Sequence, residues 1–326
     1  MALAVPTVPP IPMSLNSPLP SPQVLTSQPQ TQRRGWPGQL TPYLFLLPAL
    51  GVLTLTVFWP ALQAFYFSFT EYEYDLTRAP TWVGLANFER LWVDPVFWQT
   101  LGNTLLYLVG VVPILVIAPL GLAILVNQKL RGVRWFRTAY YTPVVISMVV
   151  AGIAWKWLYA NNGLLNQGLQ LLGISEGIPW LTSPNLSIFS VMAVTVWKGL
   201  GYYMVIYLAG LQAIPADLYE AAAMDGSDHW QKHWDITLPL MRPYLLLVAV
   251  ISSISATKVF EEVFIMTQGG PLNSSKTIVY YLYERAFQGL EMSYACAIGL
   301  VLFLIIFSLS ILNLKLSQRG KDTQIG

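Results

Sequence analysis

Glu220–Pro239 reads EAAAMDGSDHWQKHWDITLP. The stretch holds Glu220, Asp225, Asp228, Asp235, Lys232, His229 and His233, and it separates two long apolar runs. Its pattern predicts two short helices joined by a turn. Asp217 stands where it can cap the first, with Glu220 three residues on to complete a capping box. Leu218 to Met224 are mostly strong helix formers, and Gly226 supplies a C-terminal stop. Asp228 and Gln231 repeat the capping pattern, Trp230 and Trp234 share a face at i and i+4, and Pro239 and Pro243 are expected to end the segment. Ala221, Ala222 and Ala223 give the first helix a small, flat face. This helix carries Asp217, Glu220 and Asp225 and no base. A helix resting on anionic lipid expects Lys or Arg on its polar side, so docking against another protein is favoured over lying on the bilayer.

Around this stretch the chain is apolar. It has 326 residues, 55% hydrophobic and only 10% charged, with a mean hydropathy of +0.53. Soluble domains carry about 25% charged residues, so the composition is that of a polytopic membrane protein. The net charge of +2 singles out no partner class. Cys296 is the one cysteine, so no disulfide within the chain and no Cys-rich metal framework is possible. It is read as a small packing residue. Residues 1–40 are rich in Pro, Ser, Thr and Gln, lack an apolar run long enough for a signal peptide, and are expected to be a disordered tail.

A membrane-crossing helix needs roughly 20 mostly apolar residues. Six runs qualify: Tyr43–Phe69, Leu101–Asn127, Trp135–Tyr159, Ile188–Gln212, Tyr244–Gln268 and Ser293–Leu316. An even number puts both termini on one side. Lys and Arg concentrate on the cytoplasmic side of membrane proteins. Arg33, Arg34, Lys129, Arg131, Arg134, Arg137, Lys232, Arg242, Lys315, Arg319 and Lys321 fall on one side. Only Arg78, Arg90, Lys276 and Arg285 fall on the other. The expected organisation is a cytoplasmic tail 1–40, a six-helix membrane domain 41–318 with a cytoplasmic loop 213–243, and a short cytoplasmic end 319–326. Pro48, Pro60, Pro113, Pro119 and Pro143 punctuate the first three spans, and such prolines are tolerated where neighbours satisfy the freed carbonyls.

Charges inside the spans cost about 2.5–3.5 kcal/mol each at the membrane centre and mark protein-facing or watery positions. Among them are Lys198 in the fourth span and Lys258, Glu261 and Glu262 in the fifth. Lys258 is expected to reach Glu261 and Glu262 at i+3 and i+4, so that they partly neutralise one another. A structural ion pair accounts for this group as well as a role in passage does. Counting residues places Gly199, Tyr202 and Tyr203 near mid-membrane on span four, and Ser252, Ser253, Ser255 and Thr257 on span five. An unobstructed Gly199, rings that stack on an apolar sugar face and hydroxyls that exchange hydrogen bonds are expected to suit a hydroxylated solute. Small residues and Ser also serve plain helix packing.

No G-x-x-x-x-G-K-[ST] sequence occurs, so no P-loop nucleotide site is present and the chain is not expected to hydrolyse ATP. His229 and His233 stand at i and i+4 but lack a third ligand of suitable spacing, so no metal is expected. Neither a cofactor nor a nucleic-acid partner is expected.

The polar loop resembles the EAA loop of ABC importer permeases at Glu220, Ala221, Ala222, Gly226, Ile236, Leu238 and Pro239. Three other stretches resemble the carbohydrate-uptake branch, the permeases similar to those for maltose and glycerol-3-phosphate. They are WVGLANFERLWVDPVFWQTLGNTLLY (Trp82–Tyr107), YYTPVVISMVVAGIAWKWLYANNGLLN (Tyr140–Asn166) and VFEEVFIMTQGGP (Val259–Pro271). The resemblance covers residues 40 to 318. Glu261 stands where that family often has Asp, which keeps the charge. The resemblance implies an all-α membrane protein with the six-helix type I importer permease fold in a bacterial cytoplasmic membrane, in contact with lipid. It implies a second homologous permease subunit, two ATPase subunits docked on the Glu220 loops, and an extracytoplasmic solute-binding protein. Asp225 joins the seven loop positions as a candidate ATPase-coupling residue. Spans four and five would line the path of a sugar, oligosaccharide or related polyol, which raises Gly199, Tyr202 and Ser252 above their neighbours. The rival reading is an ion-coupled secondary transporter with Lys198, Lys258, Glu261 and Glu262 as its relay. A non-transporting scaffold on the same fold is a third.

Overall fold

The computed structural model describes residues 41–72, 79–128, 131–174 and 176–322. The expected tail 1–40 lies outside them. The chain divides into two units, 1–55 and 56–326, each described by itself.

In the first unit, Thr41–Leu53 forms α1, an apolar helix containing Pro48. A π-helical turn, Thr54–Phe58, follows it in sequence. In the second unit come α2 (Trp59–Phe67), a two-residue hairpin of β1 (Thr70–Glu71) and β2 (Thr81–Trp82), α3 (Ala86–Val93) and α4 (Pro95–Asn127). Thr70 pairs with Trp82 and Glu71 with Thr81. Then come α5 (Val133–Val145), α6 (Met148–Leu158), α7 (Leu164–Leu171), α8 (Ser187–Gln212), α9 (Ala216–Met224) and α10 (His229–Lys232). The chain finishes with α11 (Leu238–Thr257), α12 (Glu261–Met266), α13 (Ile278–Tyr283) and α14 (Met292–Asp322).

By length and composition, five stretches among the described residues can cross a membrane: Pro42–Phe67, Pro95–Asn127, Ser187–Gln212, Trp230–Thr257 and Met292–Ile311. The pair α5 and α6 makes a sixth if it counts as one broken span. Four of the expected spans keep their place with shifted ends, the first of them running Pro42–Phe67. α4 begins at Pro95, not Leu101, because Asp94 caps it by accepting from the Val96 N–H at 2.9 Å. α8 starts one residue early at Ser187. α14 runs on to Asp322, so the expected boundary at 318 falls inside a helix.

Two expected spans are corrected. Trp135–Tyr159 is not one helix, since α5 and α6 meet at 101°. Pro143 lacks an N–H for the helical ladder, Ile146 is extended, and the Ser147 side chain caps the new helix at Val150. Tyr244–Gln268 is likewise not one helix. The apolar run starts at Trp230, passes through a π-helical turn at His233–Thr237 and ends at Thr257. Lys258 to Phe260 then break the ladder before α12. Pro239 therefore does not end the polar segment. It sits in the first turn of α11, where a missing N–H is harmless, and Pro243 lies inside the same helix.

The core lies among α4, α8 and α11, around Tyr107, Val111, Val191, Met204, Tyr207, Met241 and Val248, all essentially inaccessible. A second cluster joins Phe97, Ile278, Tyr281, Tyr294 and Ile298. Glycines set the closest approaches. A Cβ at Gly201 would stand 2.0 Å from the Tyr140 carbonyl oxygen of α5, and one at Gly210 would stand 2.7 Å from the Tyr244 ring. Arg137 donates twice to the Val126 carbonyl, at 2.6 and 3.2 Å, closing the end of α4.

Between α6 and α8 the chain is organised by Asn166. Its side chain is buried, donates to the carbonyls of Ala160, Asn161 and Ile178, and accepts from the Ile178 N–H and the Trp180 indole at 3.0 Å each. This use of both amide ends pins the 160–180 segment.

Candidate functional site

Only three residues, 213–215, separate α8 from α9. The first turn of α9 differs from the expected one. Pro215, not Asp217, is the N-cap, and no side chain caps the helix. Proline restricts the backbone before the helix and α9 starts directly after it, so Asp217 falls inside the first turn. There its charge still favours the positive end of the helix dipole. The stop is as expected. Gly226 is left-handed at φ +82. Ser227 N–H bonds to the Ala222 carbonyl at 2.9 Å and Gly226 N–H to Ala223 at 3.2 Å, the Schellman pattern. Asp228 and Gln231 form the reciprocal capping box at 2.7 and 3.0 Å.

No residue of α9 is buried. Tyr219 and Ala222, at i and i+3, are half-buried, while Asp217, Leu218, Glu220, Ala221, Ala223, Met224, Asp225 and Gly226 are exposed. Met224 is 89% exposed, Trp230 72% and Trp234 65%. Ile236, Leu238 and Pro239 are half-buried at the base of α11. The sequence reading missed what orients α9. The Tyr219 hydroxyl lies 2.9 Å from Thr237 Oγ1, and His233 Nδ1 lies 3.1 Å from the same oxygen. Thr237 is fully buried. It joins α9 to the π-helical turn that leads into α11, and a threonine near a histidine at i+4 is too common a pattern to reveal this contact.

Tyr219→Phe removes the hydroxyl and nothing else. A hydrogen bond of this kind contributes about 0.5–1.5 kcal/mol, so faster amide exchange is expected across residues 216–224 with the rest of the protein unchanged. Identical exchange in both proteins would show that Thr237 does not hold the helix.

The mid-membrane candidates divide into two groups. Tyr202 and Ser255 are exposed. Tyr203 is buried and meets the Tyr202 ring edge-on at 5.1 Å. Ser252 is fully buried and donates to its own helix at the Val248 carbonyl, 2.7 Å away. Gly199 is not an open surface, because a Cβ there would lie 2.8 Å from Leu115 of α4. Gly199 and Ser252 thus serve helix contact, and Tyr202 and Ser255 are the two side chains presented outward.

Among the described residues the four intramembrane charges form no ion pair, although Glu262 lies within electrostatic reach of Lys198 and Glu261. Lys258 ends α11 and Glu261 begins α12 across the break, both exposed. Among the described residues no ion pair joins Lys258 to Glu261 or Glu262, because no single helix carries all three. Glu262 accepts from Thr195 at 3.2 Å. Lys198 is bound to backbone carbonyls of Pro143, Val144 and Ile146.

At the opposite end from α9, Asp94 accepts from the Tyr281 and Tyr294 hydroxyls, the latter at 2.6 Å. Burial pushes its pKa up, but these two donors and the Val96 and Phe97 N–H groups outweigh it and hold the carboxyl below its usual value. Burial and the Asp94 bond push the Tyr281 hydroxyl up to about 12. Arg90 and Arg285 both reach Glu291, at 2.7 and 3.3 Å. Arg90 and Glu291, with Glu71, Tyr72, Asn87 and Ser293, line a cavity of about 270 Å³.

Residues 95–321 match the family model described as binding-protein-dependent transport system inner membrane component. The probable ABC transporter permease protein YurN of Bacillus subtilis is 36% identical over 87% of this chain and 98% of its own length. The lactose transport system permease protein LacF of Rhizobium radiobacter is 34% identical over 86% of this chain and 94% of its own. A chain in the crystal structure of a bacterial ABC transporter involved in the import of the acidic polysaccharide alginate superposes with a TM-score of 0.76. It shares 24% identity and covers 85% of this chain and 94% of that one.

Proposed function

This chain belongs to the binding-protein-dependent transport system inner membrane components, and from that premise we propose that it is the permease subunit of an ATP-driven importer for a sugar, oligosaccharide or related polyol or glycoside. The observation that carries the reading is α9: an acidic, base-free helix with no buried residue, oriented through Tyr219 and Thr237 and fused by three residues to α8. A helix held firmly by one face and exposed on the rest is built to be gripped. Two ATPase subunits are the proposed partners, one on this loop and one on that of a second homologous permease, with Glu220, Ala221, Ala222, Asp225 and Gly226 at the contact. A solute-binding protein would deliver cargo to the opposite face. The Lys and Arg distribution supports a cytoplasmic loop 213–243 and cytoplasmic termini. Carbohydrate as cargo is supported by the lactose permease relative and by the exposed ring of Tyr202.

Collapsing proton and sodium gradients with ionophores, with ATP held constant, should leave uptake of labelled oligosaccharide intact, and depleting ATP should stop it. Uptake that follows an ion gradient and ignores ATP would mean a secondary transporter. The family match and the permease relatives argue against that alternative. Tyr202→Ala is expected to raise the apparent KM for solute roughly fivefold, the loss of a stacking contact of about 1 kcal/mol, with membrane abundance unchanged. Reduced abundance at unchanged KM would assign Tyr202 to packing.

A further inference from the structure

One face of α8 holds both broken spans. At the first break, the Lys198 ammonium donates to the carbonyl oxygens of Pro143 at 3.1 Å, Val144 at 3.4 Å and Ile146. These oxygens close the C-terminal end of α5, where the bend removes the intrahelical donors and leaves the negative end of the helix dipole. An ammonium has three N–H donors and no acceptor, so three carbonyls satisfy it without a carboxylate partner. One turn earlier on α8, Thr195 serves the second break. Its hydroxyl donates to Glu262 Oε1 at 3.2 Å, in the first turn of α12. Thr195 has a single hydroxyl proton, so Tyr107 of α4, 2.5 Å away, is the donor in the bond between them.

The pieces beyond the two breaks touch each other. A Cβ on Gly152 of α6 would lie 3.1 Å from Ile265 Cγ2 and 3.7 Å from Met266 Cγ, both on α12. At its other end α8 leads through residues 213–215 into α9. An intramembrane lysine costs about 2.5–3.5 kcal/mol on the insertion scale, and a Met would fill the same space without that cost. Packing alone therefore does not account for Lys198.

We propose that Lys198 and Thr195 are positioning residues that tie the α5–α6 corner and the head of α12 to α8, so that displacement of α9 reaches α6 and α12 through these two contacts. The coupling half of this proposal rests on the importer reading, whereas the structural half does not.

The test uses the full chain in a Cys296→Ser background with spin labels at Phe136→Cys on α5 and Trp157→Cys on α6, both exposed positions. A narrow distance distribution is expected with Lys198 present, a broadened or shifted one in Lys198→Met, and recovery in Lys198→Arg, which keeps the charge and the donors. In the assembled importer, Lys198→Met should lower solute moved per ATP hydrolysed by about tenfold, within the usual range of a coupling energy, and Lys198→Arg should restore it. A distribution unchanged in Lys198→Met overturns the tie at the corner. A changed distribution with an unchanged transport-to-hydrolysis ratio overturns the coupling role. Should Lys198→Met fail to assemble, Thr195→Val with labels at Phe189→Cys on α8 and Phe264→Cys on α12 gives the same decision for the second contact, since it removes a donor without adding or losing charge. If the unsubstituted chain moves no solute with ATP, the importer reading fails, and the label distances still judge the corner.

Discussion

Glu220→Lys is expected to insert and fold normally and to lower ATP-driven uptake by roughly tenfold or more. The side chain is exposed on α9 and makes no hydrogen bond or ion pair among the described residues, so its reversal removes nothing that holds this chain together. Its effect must come through a partner. Reversing one charge at a protein–protein contact both removes an attraction and introduces a repulsion, and the two together reach this size. The measurement pairs uptake with pull-down of the ATPase from solubilised membranes. Both should fall together while the amount of permease in the membrane stays constant. Full uptake by a correctly inserted variant would remove Glu220 from the coupling surface.

Gly201→Ala is expected to do the opposite kind of damage, to the bundle and not to its partner. The added methyl group would lie 2.0 Å from the Tyr140 carbonyl oxygen and 2.8 Å from its carbon. Both are backbone atoms, so no side chain can turn aside, and α8 must move away from α5. Overpacking a tight contact costs about 1–3 kcal/mol or more. The shift also pulls Lys198, three residues earlier, from the carbonyls it serves. Gly121→Ala is the control, because nothing lies within 4 Å of a Cβ there. Thermal unfolding in detergent should show Gly201→Ala melting several degrees lower and Gly121→Ala little changed. Equal melting temperatures would contradict the close approach of α5 and α8.

Local chemistry was legible in the sequence and long-range geometry was not. The end of α4 at Asn127, the end of α8 at Gln212, the Gly226 stop and the Asp228–Gln231 box follow from hydropathy and capping preferences that act within a few residues. The resemblance of the Glu220 loop carried the family correctly. What failed to show were the features set between helices. Pro143 announces a weak point in the third span, but the 101° turn depends on Lys198, more than fifty residues away, to satisfy the freed carbonyls. The break after Thr257 has no proline or glycine to mark it, so Lys258, Glu261 and Glu262 read as one helical face. Gly199 suggested an open surface because hydropathy cannot see Leu115 opposite. Gly201 drew no attention for the same reason. Tyr219 and Thr237 lie eighteen residues apart, and their contact depends on the Gly226 stop between them and the π-helical turn that holds Thr237.

Co-purification decides whether an ATPase grips α9. With the C-terminus tagged and the membranes gently solubilised, an ATPase, a second permease and a solute-binding protein should be recovered, with the ATPase lost selectively from Glu220→Lys. Recovery of this chain alone, with solute uptake after reconstitution driven by an ion gradient, would contradict that grip.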